Sequence, residues 1–208
     1  MEVFEYGDKE APVVLIQPIY DHDLAGLESE IKYIRQAVDI DFRLIALKVD
    51  SWNRDLSPWN APEVFGDEDF GNGASLTLAE ILKLTEDRSK TYYIGGYSLA
   101  GLFALWAAYQ TDVFRGVGAA SPSVWFPGFT DYMKDNDIIC DTVYLSLGNK
   151  ESKTRNPVMA TVGDKIRVAH SILTERGVDC TLEWNEGSHF KNADARTAKA
   201  FAWVLNRR

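Results

Sequence analysis

The chain has 208 residues, 46% of them hydrophobic and 12% aromatic, enough apolar mass for a single domain over residues 1–208 with a sizeable core. Its net charge of −9 comes with no cluster of five or more basic residues, so nucleic acid is not an expected partner. No segment approaches the roughly 18 consecutive apolar residues of a membrane span, and no basic stretch leading into an apolar run opens the chain, so a cytoplasmic protein without membrane contact is expected.

In chain order, Val3 to Tyr6 reads as an edge strand. Pro12 to Ile19 contains Val13-Val14-Leu15-Ile16, a continuous β run of the kind buried on both faces of a parallel sheet. Leu27, Ile31, Ile34 and Val38 then repeat at helical spacing, and Phe42 to Val49 is a second β run. Asp50 to Gly73 is irregular, and its aromatic anchors Trp52, Trp59 and Phe65 point to an ordered, packed loop. Leu78, Ile81 and Leu82 mark a helix, Thr91 to Ile94 a strand, and Leu99 to Tyr109 a helix. Val113 to Ala120 and Thr142 to Leu147 read as strands, followed by a helix through Val162, Ile166, Ala169 and Leu173. A short strand from Cys180 to Trp184 and a helix through Ala198, Phe201, Ala202 and Leu205 end the pattern. Strands alternating with helices predict an α/β fold with a mainly parallel central sheet and helices on both faces. Ligands of such sheets bind beyond the carboxyl ends of the strands.

One of those ends carries Gly95-Gly96-Tyr97-Ser98-Leu99-Ala100-Gly101, a serine between a strand and a helix with small residues around it. That is the context of a nucleophile elbow. The strict motif would have its last glycine at 100, where this chain has alanine, the next smallest residue. Ser98 at a helix N-terminus would face amide N–H groups and a dipole that favour negative charge, as an oxyanion requires.

A serine nucleophile needs a base and an acid to orient it. His189, in Glu-Gly-Ser-His-Phe after the last predicted strand, stands in the order serine, acid, histidine. His170 lies on a helix, and His22 precedes the serine. Glu151, three residues past Gly148 at a strand end, is the candidate acid; Asp164 is the alternative, and Asp141 precedes its strand. For the oxyanion hole, Leu99 is the first backbone donor. The second comes from Gln17-Pro18-Ile19-Tyr20, where Pro18 has no N–H, which leaves Ile19 with Tyr20 next. Tyr20, Trp52, Trp59 and Trp125 are candidates for a substrate wall or for core packing. Arg54 would meet an anionic group of the substrate or pair with Asp55 or Glu63. Cys140 and Cys180 lack metal-ligand spacing and read as small hydrophobes, so neither a metal nor a cofactor is expected.

Five segments together resemble the esterase branch of the α/β-hydrolases that includes trilactone-siderophore (enterochelin) esterases, S-formylglutathione hydrolase and feruloyl esterases. They are the elbow, Asn53-Arg54-Asp55-Leu56-Ser57-Pro58 with the later Gly71-Asn72-Gly73, Ser121-Pro122-Ser123-Val124-Trp125, Gly148-Asn149-Lys150-Glu151 and Gly187-Ser188-His189. The resemblance implies a minimal α/β-hydrolase fold without a separate lid domain. It also implies hydrolysis of a small-molecule carboxylic ester without a cofactor, and a triad of Ser98, Glu151 and His189. Where relatives carry Asp-Gly or His-Gly after the first long strand, this chain has Pro18-Ile19-Tyr20. Acyl transfer by the same triad, or a catalytically inactive binding module, are the other functions compatible with these residues.

Overall fold

The computed structural model describes residues 1–207. It holds the strands β1 (Glu2–Tyr6), β2 (Val13–Ile19), β3 (Phe42–Lys48), β4 (Thr91–Tyr97), β5 (Phe114–Ala120), β6 (Thr142–Gly148) and β7 (Asp179–Asn185). The helices are α1 (Leu27–Ala37), α2 (Trp52–Asp55), α3 (Ala74–Lys83), α4 (Leu99–Ala107), α5 (Phe129–Asp135), α6 (Val162–Glu175) and α7 (Ala193–Leu205). One sheet contains all seven strands in the order β1-β3-β2-β4-β5-β6-β7. Only β1 is antiparallel to its neighbour; the other pairings are parallel.

The apolar runs explain the layering. β2 is buried at every position. Val13 and Leu15 pack with α1 and α7 on one face, and Val14 and Ile16 with α3, α4, α5 and α6 on the other, because successive side chains of a strand point to opposite faces. Every residue of α4 is buried, as expected of a helix that is apolar all round.

The topology also locates a crevice. The chain leaves β2 for β3 on one side and leaves β4 for β5 on the other, so β2 and β4 flank the point where the winding reverses, the usual ligand crevice of such a sheet. Their pairing runs only from Val13–Thr91 to Ile16–Ile94, so the last residues of both strands separate at that end.

The edge strand, the long parallel runs and the periodic helices lie where the sequence pattern puts them. The helix α5 and the one-turn α2 were not expected; both are too short for a period to register. Within the irregular stretch, Ala61 and Phe70 form a single bridge, and Asn53 Nδ2 donates to Glu68 O at 3.1 Å, so the segment is ordered by its own hydrogen bonds. Among the described residues no insertion forms a separate lid, and no helix is long and apolar enough to cross a membrane.

Candidate active site

Ser98 lies between β4 and α4 with φ 58° and ψ −120°. A side chain rarely adopts such torsions, which cost about 1–3 kcal/mol and persist only where the surroundings impose them. Here Ser98 N–H donates to Ala120 O at 3.1 Å, while Ser98 O accepts from Ser123 N–H at 3.0 Å and from Leu102 N–H at 3.1 Å. The turn is tight enough that a Cβ at Gly96 would stand 2.7 Å from the Ala100 Cβ. Alanine is therefore tolerated at position 100 because glycine faces it. Gly96→Ala is expected to destabilise the fold by about 1–3 kcal/mol and to displace the serine, measurable as a lowered melting temperature together with lost activity.

The structure brings together the three residues picked out by chain order. His189 Nε2 is 3.0 Å from Ser98 Oγ, and His189 Nδ1 is 2.7 Å from Glu151 Oε2. The Glu151 side chain is buried, and its Oε1 accepts from Gly148 N–H at 2.6 Å, Ser121 Oγ at 2.8 Å and Arg196 Nη1 at 3.1 Å. Burial pushes its pKa up, but the hydrogen bond and charge of His189, with the Gly148 amide and Ser121 hydroxyl, outweigh this and hold the carboxyl below its ordinary value. Asp164, the alternative acid, lies 92% exposed in the first turn of α6, and His170 sits along the same helix.

Arg196, Tyr97, Ser121 and Ser123 join the site without having been singled out as site residues from the sequence. Arg196 is 4% exposed; besides Glu151, its Nη1 donates to Tyr97 Oη at 3.0 Å and Ser121 Oγ at 3.4 Å, and its Nη2 to Glu186 O at 3.1 Å. Tyr97 in turn donates to His189 O at 2.6 Å. One guanidinium thus ties the ends of β4 and β5 to the loops that carry the acid and the histidine. The signal was available: Arg196 precedes Ala200 by four residues, on the apolar stripe of α7, where an unpaired charge would be costly. Ser123 Oγ lies 3.3 Å from Ser98 Oγ.

Leu99 heads α4, where the first N–H groups have no intrahelical acceptor, next to the serine. Ile19 requires a correction. Its carbonyl accepts from Val49 N–H at 3.0 Å, and on an extended strand the amide of a residue faces the same neighbour as its carbonyl. The Ile19 N–H therefore points to β3 and away from Ser98. Tyr20 N–H, the next in line, donates to Asp23 Oδ2 at 2.9 Å.

The other expected substrate contacts divide. Trp125 is 6% exposed and packs edge-on against Phe65, with Phe70 beside it, so it belongs to the core. Trp59, partly buried against the core, packs edge-on against Phe126 and stacks on Phe129, with its Nε1 donating to Pro127 O. Arg54 is committed to Asp55 through Nε–Oδ1 at 2.7 Å and Nη2–Oδ2 at 3.3 Å, the pairing weighed against substrate contact. Tyr20 and Trp52 are only partly buried and form an aromatic cluster with His22. Cys140 and Cys180 are free thiols pushed up to about 12 by burial, remote in role from this chemistry.

No family model and no curated protein sequence matches the chain. Solved structures do. An IroE-like serine hydrolase from Shewanella oneidensis is 13% identical, with a TM-score of 0.75 over 98% of this chain and 75% of that one. The siderophore hydrolase EstA from Aspergillus nidulans is 20% identical, with a TM-score of 0.64 over 97% and 85%. The enterobactin esterase Fes from Shigella flexneri is 14% identical, with a TM-score of 0.67 over 99% of this chain but 55% of that one. At these identities the likeness is one of architecture, and the architecture is the α/β-hydrolase fold.

Proposed function

We propose that this chain, acting as one domain, is a serine hydrolase that cleaves small-molecule carboxylic esters through an acyl-enzyme on Ser98. The observation that carries this reading is the unbroken relay from Ser98 Oγ through the His189 imidazole to the Glu151 carboxylate, with steps of 3.0 and 2.7 Å. Its mounting on a strained elbow at the reversal point of the sheet supports the same reading. So do the names of structural neighbours described as a serine hydrolase, a siderophore hydrolase and an enterobactin esterase.

The steps use groups of the chain and water. Ser98 Oγ attacks the ester carbonyl carbon while His189 Nε2 takes its proton. The oxyanion forms against the N-terminus of α4, where Leu99 N–H and the helix dipole stabilise it. Collapse expels the alcohol, protonated by His189. Water then attacks the acyl carbon with His189 as base, the acid leaves, and Ser98 regains its proton. Glu151 holds the Nδ1–H tautomer and stabilises the imidazolium; its lowered pKa keeps it ionised for that task.

Glu151→Gln is expected to preserve the shape but offer the wrong hydrogen-bonding group to Nδ1, lowering kcat by about 10³–10⁴-fold while leaving a measurable remainder. Steady-state hydrolysis of 4-nitrophenyl acetate checks this. A kcat equal to that of the wild type would remove Glu151 from the mechanism.

A further inference from the structure

Beside the elbow, where the ends of β2 and β4 separate, lies a cavity of about 330 Å³ on the α1 and α7 side of the sheet. Tyr97 and Ala100, which bracket Ser98 in the chain, form part of its wall. Its polar lining holds three carboxyl groups, Glu30 from α1, Asp23 from the short helical segment before it and Asp194 from the first turn of α7, beside Gln17, His22, Asn192 and Thr197. No lysine or arginine lines it. Glu30 and Gln17 are 3% and 4% exposed, and Gln17 Nε2 donates to Glu30 Oε2 at 3.3 Å. That leaves Oε1 of Gln17 and Oε1 of Glu30 as buried acceptors with no hydrogen-bond partner among the described residues.

Two unpartnered buried acceptors in a wall of carboxylates call for a donor with several protons and a positive charge. A neutral donor would meet the first need but would gain nothing from the carboxylates around it or from the ionised form of Glu30. Among the described residues no group of three or more His, Cys, Asp or Glu is arranged to hold a metal ion. A primary ammonium suits the pattern: compact, with three donors, on a chain slim enough for the space. We infer that this cavity is a subsite for a primary ammonium group carried by the ester substrate, seated between Glu30, Gln17, Asp23 and Asp194. The inference rests on the hydrolase reading for its link to catalysis, since Tyr97 and Ala100 of the cavity wall belong to the elbow that carries Ser98.

Glu30 gives the subsite a pH response. Burial, little relieved by the Gln17 hydrogen bond and reinforced by Asp23 and Asp194, raises its carboxyl to about 8. The groups facing it are Gln17 from β2, Asp23 with His22 Nε2 3.4 Å from Asp23 Oδ1, and Asp194 from α7. The ammonium pairs with ionised Glu30. With a pKa near 8, the ionised fraction rises from about a tenth at pH 7 to about nine tenths at pH 9, so affinity increases as pH rises through this window.

The test is calorimetric titration of the wild-type protein with butylammonium chloride and with n-butanol, its neutral isostere, at pH 7 and 9. Butylammonium is expected to bind at least about ten-fold more tightly than butanol, and about ten-fold more tightly at pH 9 than at pH 7. Glu30→Gln is expected to lose most of this preference. Asp194→Asn, at a partly exposed position, weakens it about three-fold and keeps the test intact should the first variant fail to fold. Equal binding of the two probes, no binding, or no response to pH would overturn the subsite. Phenyl acetate hydrolysis by the same preparation separates the two readings. Hydrolysis at Ser98 without ammonium binding removes the subsite alone. Ammonium binding without hydrolysis retains the cation site and removes the hydrolase.

Discussion

Ser98→Ala is expected to lower ester hydrolysis by about 10⁴–10⁶-fold, to the level left by binding and the helix N-terminus alone. The effect is large because the covalent intermediate needs the Oγ atom, and among the described residues Ser98 is the hydroxyl hydrogen-bonded to His189 Nε2. Ser123 Oγ, 3.3 Å from Ser98 Oγ, is the nearest substitute, but its hydrogen bond is to the serine and not to the imidazole. The fold should not suffer. Alanine in the same torsions bears a strain similar to that of serine, and the three backbone hydrogen bonds that define the elbow do not use the side chain. A melting temperature within a few degrees of the wild type, with activity lost across an ester panel, is the expected result. Retained hydrolysis would mean that the chemistry lies elsewhere.

Arg196→Met is expected to cost about 3–5 kcal/mol of stability and most of the activity. Methionine fills much of the volume, but the Glu151 carboxylate, 4% exposed, loses the guanidinium paired with it, and Tyr97 Oη, Ser121 Oγ and Glu186 O lose a donor. Arginine acts here through other residues, so it is a positioning group. Stability alone would not separate this role from packing; the pH profile does. Removing a positive charge raises the pKa of a neighbouring acid and of a neighbouring base alike, so the acid limb of kcat/KM should move to higher pH in the variant. Arg196→Lys keeps the charge but not the planar fork, and is expected to restore the position of the limb more than the rate. An unmoved limb with lowered stability would reduce Arg196 to a structural role.

Much of the fold could be read from the chain because period and composition coincide. Val13-Val14-Leu15-Ile16 is a continuous, mostly β-branched run of the kind buried on both faces of a sheet, and Leu27, Ile31 and Ile34 recur at the spacing of one helix face. The order Ser98, Glu151, His189 was legible for a related reason. Each follows a strand, and a parallel sheet gathers its strand ends at one edge whatever the loops between them do.

What could not be read depends on register and on long-range charge. Whether the Ile19 amide faces β3 or β4 depends on strand parity, which changes with a shift of a single residue. The hydrogen bond from Tyr20 N–H to Asp23 needs the turn after β2 to be known. Arg196 was visible as a charge on an apolar stripe, but its partners come from the end of β4 and the loops after β5, β6 and β7, up to 99 residues away. The same holds for Gln17 and Glu30, an unremarkable pair in sequence that the crossover from β2 to α1 brings face to face.

The most direct measurement is intact-protein mass spectrometry after treatment with a fluorophosphonate, followed by peptide mapping of the adduct. If Ser98 is activated by His189 and Glu151, one adduct forms, maps to Ser98 and is absent from Ser98→Ala. A folded wild-type protein that takes up no adduct, or takes one up at another residue that persists in Ser98→Ala, would contradict the assignment of the nucleophile and with it the proposed reaction.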